Sequence, residues 1–134
     1  REESQMAEKE IVRTERAPAP FQGAPYNQAV KAAGLVFVAG QLGLAPGGKE
    51  MVGADVAAQT EQVMRNLSAI LEEAGSGLDR LVKTTVFLQS LDDFAAMNEV
   101  YAAHVGDRPP ARSTVEVAQL PSGALVEIEA VALL

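Results

Sequence analysis

The sequence predicts an α+β domain in which two helices cover one face of a sheet built from six strand candidates. Three observations predict it. Residues 55–74 carry a single apolar stripe at helical spacing. Residues 81–88 and 124–133 are runs rich in β-branched and apolar residues. The patterns follow one another as strand, hairpin, helix, strand, helix and two strands. At 134 residues the chain has the length of one domain with a real core.

Arg1 to Gln5 is a charged lead-in before Met6, the expected natural start, and residues 1–10 read as an N-terminal extension to a domain spanning 11–134. Ile11-Val12-Arg13-Thr14 is the first strand candidate. Pro18, Pro20, Gly23 and Pro25 mark a non-repetitive connection. Tyr26 to Lys31 and Leu35 to Gln41 form a hairpin around Ala33-Gly34. The near-continuous apolar run of its second arm reads as a strand covered on both faces, and Gly40 at its end permits close approach of a backbone or ligand. Leu44 to Gly53 is a loop.

Asp55 is a good N-cap for the first helix, whose stripe is Val56, Val63, Leu67, Ile70, Leu71 and Ala74, and Gly75 is its stop. Gln59, Glu61, Gln62 and Arg65 are expected to face away from the core. Leu81 to Leu88 is a central strand. A second helix starts at Asp92 or Asp93, buries Phe94, Met97, Tyr101 and Val105, and ends at Gly106. His104, near its C-terminus, reads as a surface residue favoured by the helix dipole. Leu120-Pro121-Ser122-Gly123 is a turn. In the last strand Leu125, Glu127, Glu129, Val131 and Leu133 share one face, and Val126, Ile128, Ala130 and Ala132 the other.

Composition excludes several function classes. The net charge is −7, with 11 Lys and Arg scattered among 18 acids, so no basic patch is visible for a nucleic acid. With no cysteine there is no disulfide framework, thiolate nucleophile or Cys-based metal site, and one histidine argues against a His-ligated metal centre. No secretory signal or membrane-spanning apolar run is visible, so the expectation is a cytoplasmic protein.

The chemistry-bearing candidates begin with Arg112. Pro109 and Pro110 stiffen the backbone just before it and feed an extended segment in which Arg112, Thr114 and Glu116 point one way. A guanidinium held there presents paired planar donors to a carboxylate or phosphate; the plain alternative is a surface arginine on an edge strand. Asn98 is a poor mid-helix residue at the edge of the buried stripe, and is either a site residue or a solvated position. Glu127 and Glu129 lie on an otherwise apolar strand face, where a carboxylate must be paired, protonated or exposed in a crevice. Both helices are used on one sheet face, so the other is left for a partner subunit.

Six segments occur in a telling order: Gly23-Ala24-Pro25-Tyr26-Asn27-Gln28-Ala29, Val38-Ala39-Gly40-Gln41, Val82-Lys83-Thr84-Thr85-Val86, Met97-Asn98-Glu99-Val100-Tyr101, Pro110-Ala111-Arg112-Ser113 and Val126-Glu127-Ile128-Glu129-Ala130. Together they resemble the Rid/YjgF family of reactive-intermediate imine deaminases, also labelled L-PSP endoribonuclease, over nearly the whole chain from Ile11. The resemblance implies a chorismate-mutase-like α+β fold with a mixed six-stranded sheet, and a homotrimer whose sheets form an inner barrel. It implies active sites in clefts between subunits and hydrolysis of 2-imino or enamine acids to 2-oxo acids and ammonia, with no metal or cofactor. Under it Arg112, Glu127 and Tyr26 are the catalytic residues. Arg112 clamps the substrate carboxylate, Glu127 orients water or exchanges a proton, and Tyr26 shapes the pocket and offers a hydroxyl. Asn98, Gly40, Ala39, Thr114 and Phe87 complete the substrate-binding set.

Two positions depart from the family's best-studied deaminases: Ala39 stands where they carry Ser, and Thr114 where many carry Cys. Each such change removes or alters one polar group, worth about 0.5–1.5 kcal/mol if hydrogen-bonded, and bears on substrate preference. The alternatives to the deaminase are a trimer that binds small carboxylates without turnover, chaperone-like or ligand-sensing, and the ribonuclease or translation inhibitor of the older label.

Overall fold

The computed structural model describes residues 8–134; the N-terminal part of the expected extension, 1–7, lies outside the described residues. Six strands form one sheet: β1 (Glu10–Val12), β2 (Ala29–Ala32), β3 (Leu35–Gln41), β4 (Leu81–Leu88), β5 (Ala111–Glu116) and β6 (Val126–Leu133). Their spatial order is β1-β2-β3-β6-β4-β5. Only the β4–β5 pair is parallel, so the sheet is mixed. Helices α1 (Val56–Glu73) and α2 (Phe94–Val105) pack together on one face. The expected order of elements and the α+β class are therefore what the chain adopts.

The local reasons are readable. Ala32 pairs with Leu35 around a two-residue turn in which Ala33 and Gly34 both have positive φ, 54° and 78°. That conformation matches the twist of the flanking strands. Asp55 caps α1 by accepting the Ala58 N–H at 2.8 Å. The even-numbered residues of β6, Val126 to Ala132, are buried beneath the helices with Val36, Val38, Val86, Leu67, Ile70 and Met97. The odd-numbered residues of β6 lie on the other face, which neither helix covers. Phe37 of β3 is 45% exposed there, so β3 is covered on one face of this chain, not on both.

Three further expectations are corrected. Gln59 is not on the outer side of α1 but is 1% exposed. Its Oε1 accepts the Leu125 N–H at 2.7 Å and its Nε2 donates to the Gly53 carbonyl at 2.9 Å. Loop 42–53 lies across this side of α1, so close that a Cβ on Gly43 would stand 2.9 Å from Gln59 Cα and Cβ. His104 is not a free surface residue: its Nε2 lies 2.8 Å from Glu61 Oε1, joining α2 to α1. Phe94, expected in the core, is 41% exposed. No helix among the described residues is long and apolar enough to cross a membrane.

Candidate functional site

The candidate residues fall into two groups on opposite sides of the sheet. The first surrounds Glu127. Tyr26, Ala39, Gly40 and Glu127 line one cavity of about 290 Å³ at the end of β3, on the face the helices leave open. Phe87 stands directly across from Glu127 on β4 and packs against a second apolar cluster of Leu42, Leu44, Leu120 and Ala124.

Gly40 is there for space. The β3–β6 register shifts between Val38 and Gln41, and at this irregularity the Glu127 carboxylate lies against the bare Cα of Gly40. A Cβ on residue 40 would collide with Glu127 Oε2 and stand 2.8 Å from its Cδ. Burial, and secondarily the negative charge of Glu129, raises the Glu127 pKa above the ordinary glutamate value of 4.5. No hydrogen bond or ion pair holds the Glu127 side chain among the described residues.

Tyr26 lies before β2, its backbone N–H bonded to the Ala24 carbonyl. Its hydroxyl oxygen accepts the Phe21 N–H at 2.5 Å, which leaves the hydroxyl proton free to donate into the cavity.

The second group surrounds Arg112. On β5, Arg112 and Thr114 are half-buried while Ala111, Ser113 and Val115 are exposed. Arg112 pairs with Thr84 of β4, whose buried hydroxyl lies 2.6 Å from the Tyr101 hydroxyl of α2. Arg112 therefore points to the helix side. Its guanidinium carbon sits 4.9 Å from the Tyr101 ring centroid and 5.6 Å from that of Phe94. Asn98 lies between these two rings along α2, and its Oδ1 is buried with no hydrogen-bond partner. Among the described residues no carboxylate pairs with Arg112, so its donors are open to an exogenous anion.

One chain thus brings Tyr26, Ala39, Gly40, Phe87 and Glu127 together, and Arg112, Thr114 and Asn98 together, but not the two groups. The sequence reading missed Phe94 and Tyr101 as a stacking platform. The signal was present in the Phe94, Asn98, Tyr101 spacing, which aligns all three on one side of a helix. It also missed Gln28, whose buried amide accepts the Thr14 N–H and donates to Thr14, Ala17 and Pro18 carbonyls, pinning the segment that leads to the cavity.

Residues 14–134 match the family model described as Endoribonuclease L-PSP. A RutC family protein of Pyrococcus abyssi is 49% identical over 92% of this chain and 96% of its own. The chloroplastic Reactive Intermediate Deaminase A of Arabidopsis thaliana is 48% identical over 94% of this chain and 66% of its own. Among solved structures, E. coli TdcF with bound serine superposes with a TM-score of 0.84 at 39% identity, covering 93% of this chain and 98% of that one. On a match that runs from Thr14 to the last residue, the chain belongs to the Rid/YjgF family, the family that carries the L-PSP endoribonuclease description.

Proposed function

We propose that this protein hydrolyses reactive 2-imino and enamine acids to 2-oxo acids and ammonia in clefts shared between copies of the chain in a homotrimer. The observation that carries the reading is Glu127: a half-buried carboxylate with a raised pKa and no protein partner, facing a cavity beside a free tyrosine proton. A carboxylate with a raised pKa that faces a cleft is characteristic of a site that moves protons. The reading is also supported by the deaminase name of the Arabidopsis relative.

The substrate carboxylate lies on the Arg112 guanidinium, pre-oriented by its two rings. Water adds to the carbon of the C=N bond as ionised Glu127 takes one of its protons. Glu127 then returns that proton to the nitrogen, giving a carbinolamine; it next takes the proton of the new hydroxyl and passes it to the same nitrogen, so that the C–N bond breaks as the C=O bond forms and ammonia leaves a 2-oxo acid. Tyr26 donates a hydrogen bond to the reacting group. Arg112 and Glu127 point to opposite sides of one sheet, and the open face of that sheet is unpartnered, so a second copy supplies the missing half.

The test follows imines released by an amino-acid oxidase, with Arg112→Ala and Glu127→Ala beside the parent. Acceleration that depends on both residues supports the reading. Turnover retained without Glu127 would overturn it. The serine held by E. coli TdcF favours a second reading, a small-molecule-binding trimer. That one predicts 2-oxobutanoate binding without any turnover. The family's ribonuclease description finds no support in this chain's charge of −7.

A further inference from the structure

Gln59, Gln62 and Asn66 recur at i, i+3 and i+7 and form one stripe of amides along α1. Gln59 reaches Gly53 and Leu125, as described above. Asn66 is 1% exposed, and its Nδ2 donates to the Leu42 carbonyl at 3.1 Å and to the Leu44 carbonyl at 2.9 Å. Gln62 Nε2 in turn donates to Asn66 Oδ1 at 2.9 Å. Two carbonyl oxygens can be met only by the NH₂ end of an amide, so this network dictates which way the Asn66 side chain points.

The segment that Asn66 grips is part of the cavity. The side chains of Leu42 and Leu44 are buried and line it together with Gly40 and Glu127, whereas Asn66 does not line it. Other backbone bonds of this segment are local: Leu44 N–H to the Leu42 carbonyl at 2.8 Å and Val52 N–H to the Gly43 carbonyl at 2.8 Å, both within loop 42–53. Asn66 carries the hold on these residues out to α1. Between its two bonds Gly43 lies flush against Gln59, with no room for a Cβ.

We propose that Asn66 is a positioning residue of the site: it holds the Leu42–Leu44 wall in place and thereby keeps water away from the Glu127 carboxylate. Its consequence for turnover rests on the imine-hydrolase reading of this cleft; its effect on the carboxyl does not. Burial is the first cause of the raised Glu127 pKa. A wall released from α1 admits water, the ionised carboxylate is better solvated, and the pKa falls toward the ordinary value of 4.5. Glu127 then loses base strength and fixed placement together. Arg112 belongs to the other group of residues and is untouched, so the hold on the substrate carboxylate survives.

The test titrates the side-chain carboxyl carbon of Glu127 by NMR in the full chain, with the signal assigned by its loss in Glu127→Gln. Asn66→Ala and Gln62→Leu are compared with the parent and with Ile70→Val, which trims the main core from the same helix. The Glu127 pKa should fall in Asn66→Ala, fall by less in Gln62→Leu, and keep the parental value in Ile70→Val. In imine hydrolysis Asn66→Ala should lower kcat about 10–100-fold with KM within about threefold of the parent, and its acid limb should move to lower pH with the titration. Gln62 is half-buried, so its variant carries the test if Asn66→Ala does not fold. An unchanged Glu127 titration in every amide variant that folds would overturn the proposal. An equal fall in Ile70→Val would overturn it too, because that is the sign of a loosened fold and not of a lost grip on the wall. A titration shift in a protein whose parent hydrolyses no imine would uphold the positioning role and remove the imine-hydrolase reading instead.

Discussion

Arg112 and Glu127 point to opposite faces of one sheet: Arg112 lies over the Tyr101 ring under α2, and Glu127 sits against Gly40 on the face the helices leave open. If the site needs both, each must come from a different copy. Co-expressed Arg112→Ala and Glu127→Ala chains should then recover activity that neither shows alone. Random mixing in a cyclic trimer leaves about a quarter of the clefts with both side chains intact. Recovery is measured on the mixed assembly after tag-based isolation. No recovery from a verified mixed oligomer would mean that the two residues do not share a cleft.

Glu127 should set the acid limb of the pH–rate profile. Its pKa is raised by burial first and by Glu129 second, and the base is the ionised form. Activity therefore falls on acidification at a pH above the ordinary glutamate value of 4.5. Glu129→Gln removes the second cause and should move the limb to lower pH. Stability has the opposite sign. A carboxyl whose folded pKa is raised favours the fold when protonated, and that contribution is lost as pH rises through the folded pKa. Glu127→Gln should thus be more stable than the parent at neutral pH and equal to it well below 4.5, while losing about 10²–10⁴-fold in turnover. Parallel denaturation series at both pH values check this.

Gly40→Ala tests the carboxylate's seat. The added methyl cannot coexist with the present position of Glu127 Oε2, and Glu127, at the end of a flexible side chain, is the group that yields. Turnover should drop by on the order of 10²-fold, the expectation for a reacting group displaced by about 1 Å, with the oligomer intact. An unchanged kcat would show that Glu127 does not need this position.

Much of this was legible in the sequence because period and punctuation agree. β3 and β4 begin and end where Leu35–Gln41 and Leu81–Leu88 read as strands, and Asp55 and Gly75 bracket α1 as caps should. Alternation along β6 separated Glu127 from Val126 correctly. What it could not give is which face a neighbour covers. Gln59 looks like an exposed helix position by spacing, because the loop that buries it adds no periodicity of its own. Phe94 looks like core because spacing cannot tell a ring under a sheet from one under an arginine. The pairing of Ala39, Gly40 and Tyr26 with Glu127 came from the family resemblance, and no local pattern contains it.

The Arg112 platform predicts that charge alone is insufficient. Arg112→Lys keeps the cation but loses the planar fork and the stack over Tyr101 and Phe94, so affinity for 2-oxobutanoate should fall about 10–100-fold. Phe94→Leu, at a half-open position, should cost only a few-fold, the worth of one partly solvated cation–π contact at about 0.5–1 kcal/mol. If Lys binds as tightly as Arg, the site reads charge and not planar geometry.

Gln59 carries the last prediction, and it is about stability. Its side chain joins Gly53 in the loop after β3 to Leu125, two residues before Glu127, entirely out of water. Gln59→Leu keeps the volume and strands one N–H and one carbonyl in the interior. An unpaired buried polar group costs about 1–3 kcal/mol, so the variant should lose roughly 2–4 kcal/mol in denaturant unfolding. Arg65→Leu, on the outer face of the same helix, should stay within about 0.5 kcal/mol of the parent, because its exposed pairing with Glu61 contributes little. The comparison isolates the buried amide, since both substitutions put leucine into α1 and only one removes hydrogen bonds from the core. Equal losses would mean that Leu125 and Gly53 find water when Gln59 is gone, and that the amide is not what ties the Glu127 strand to α1.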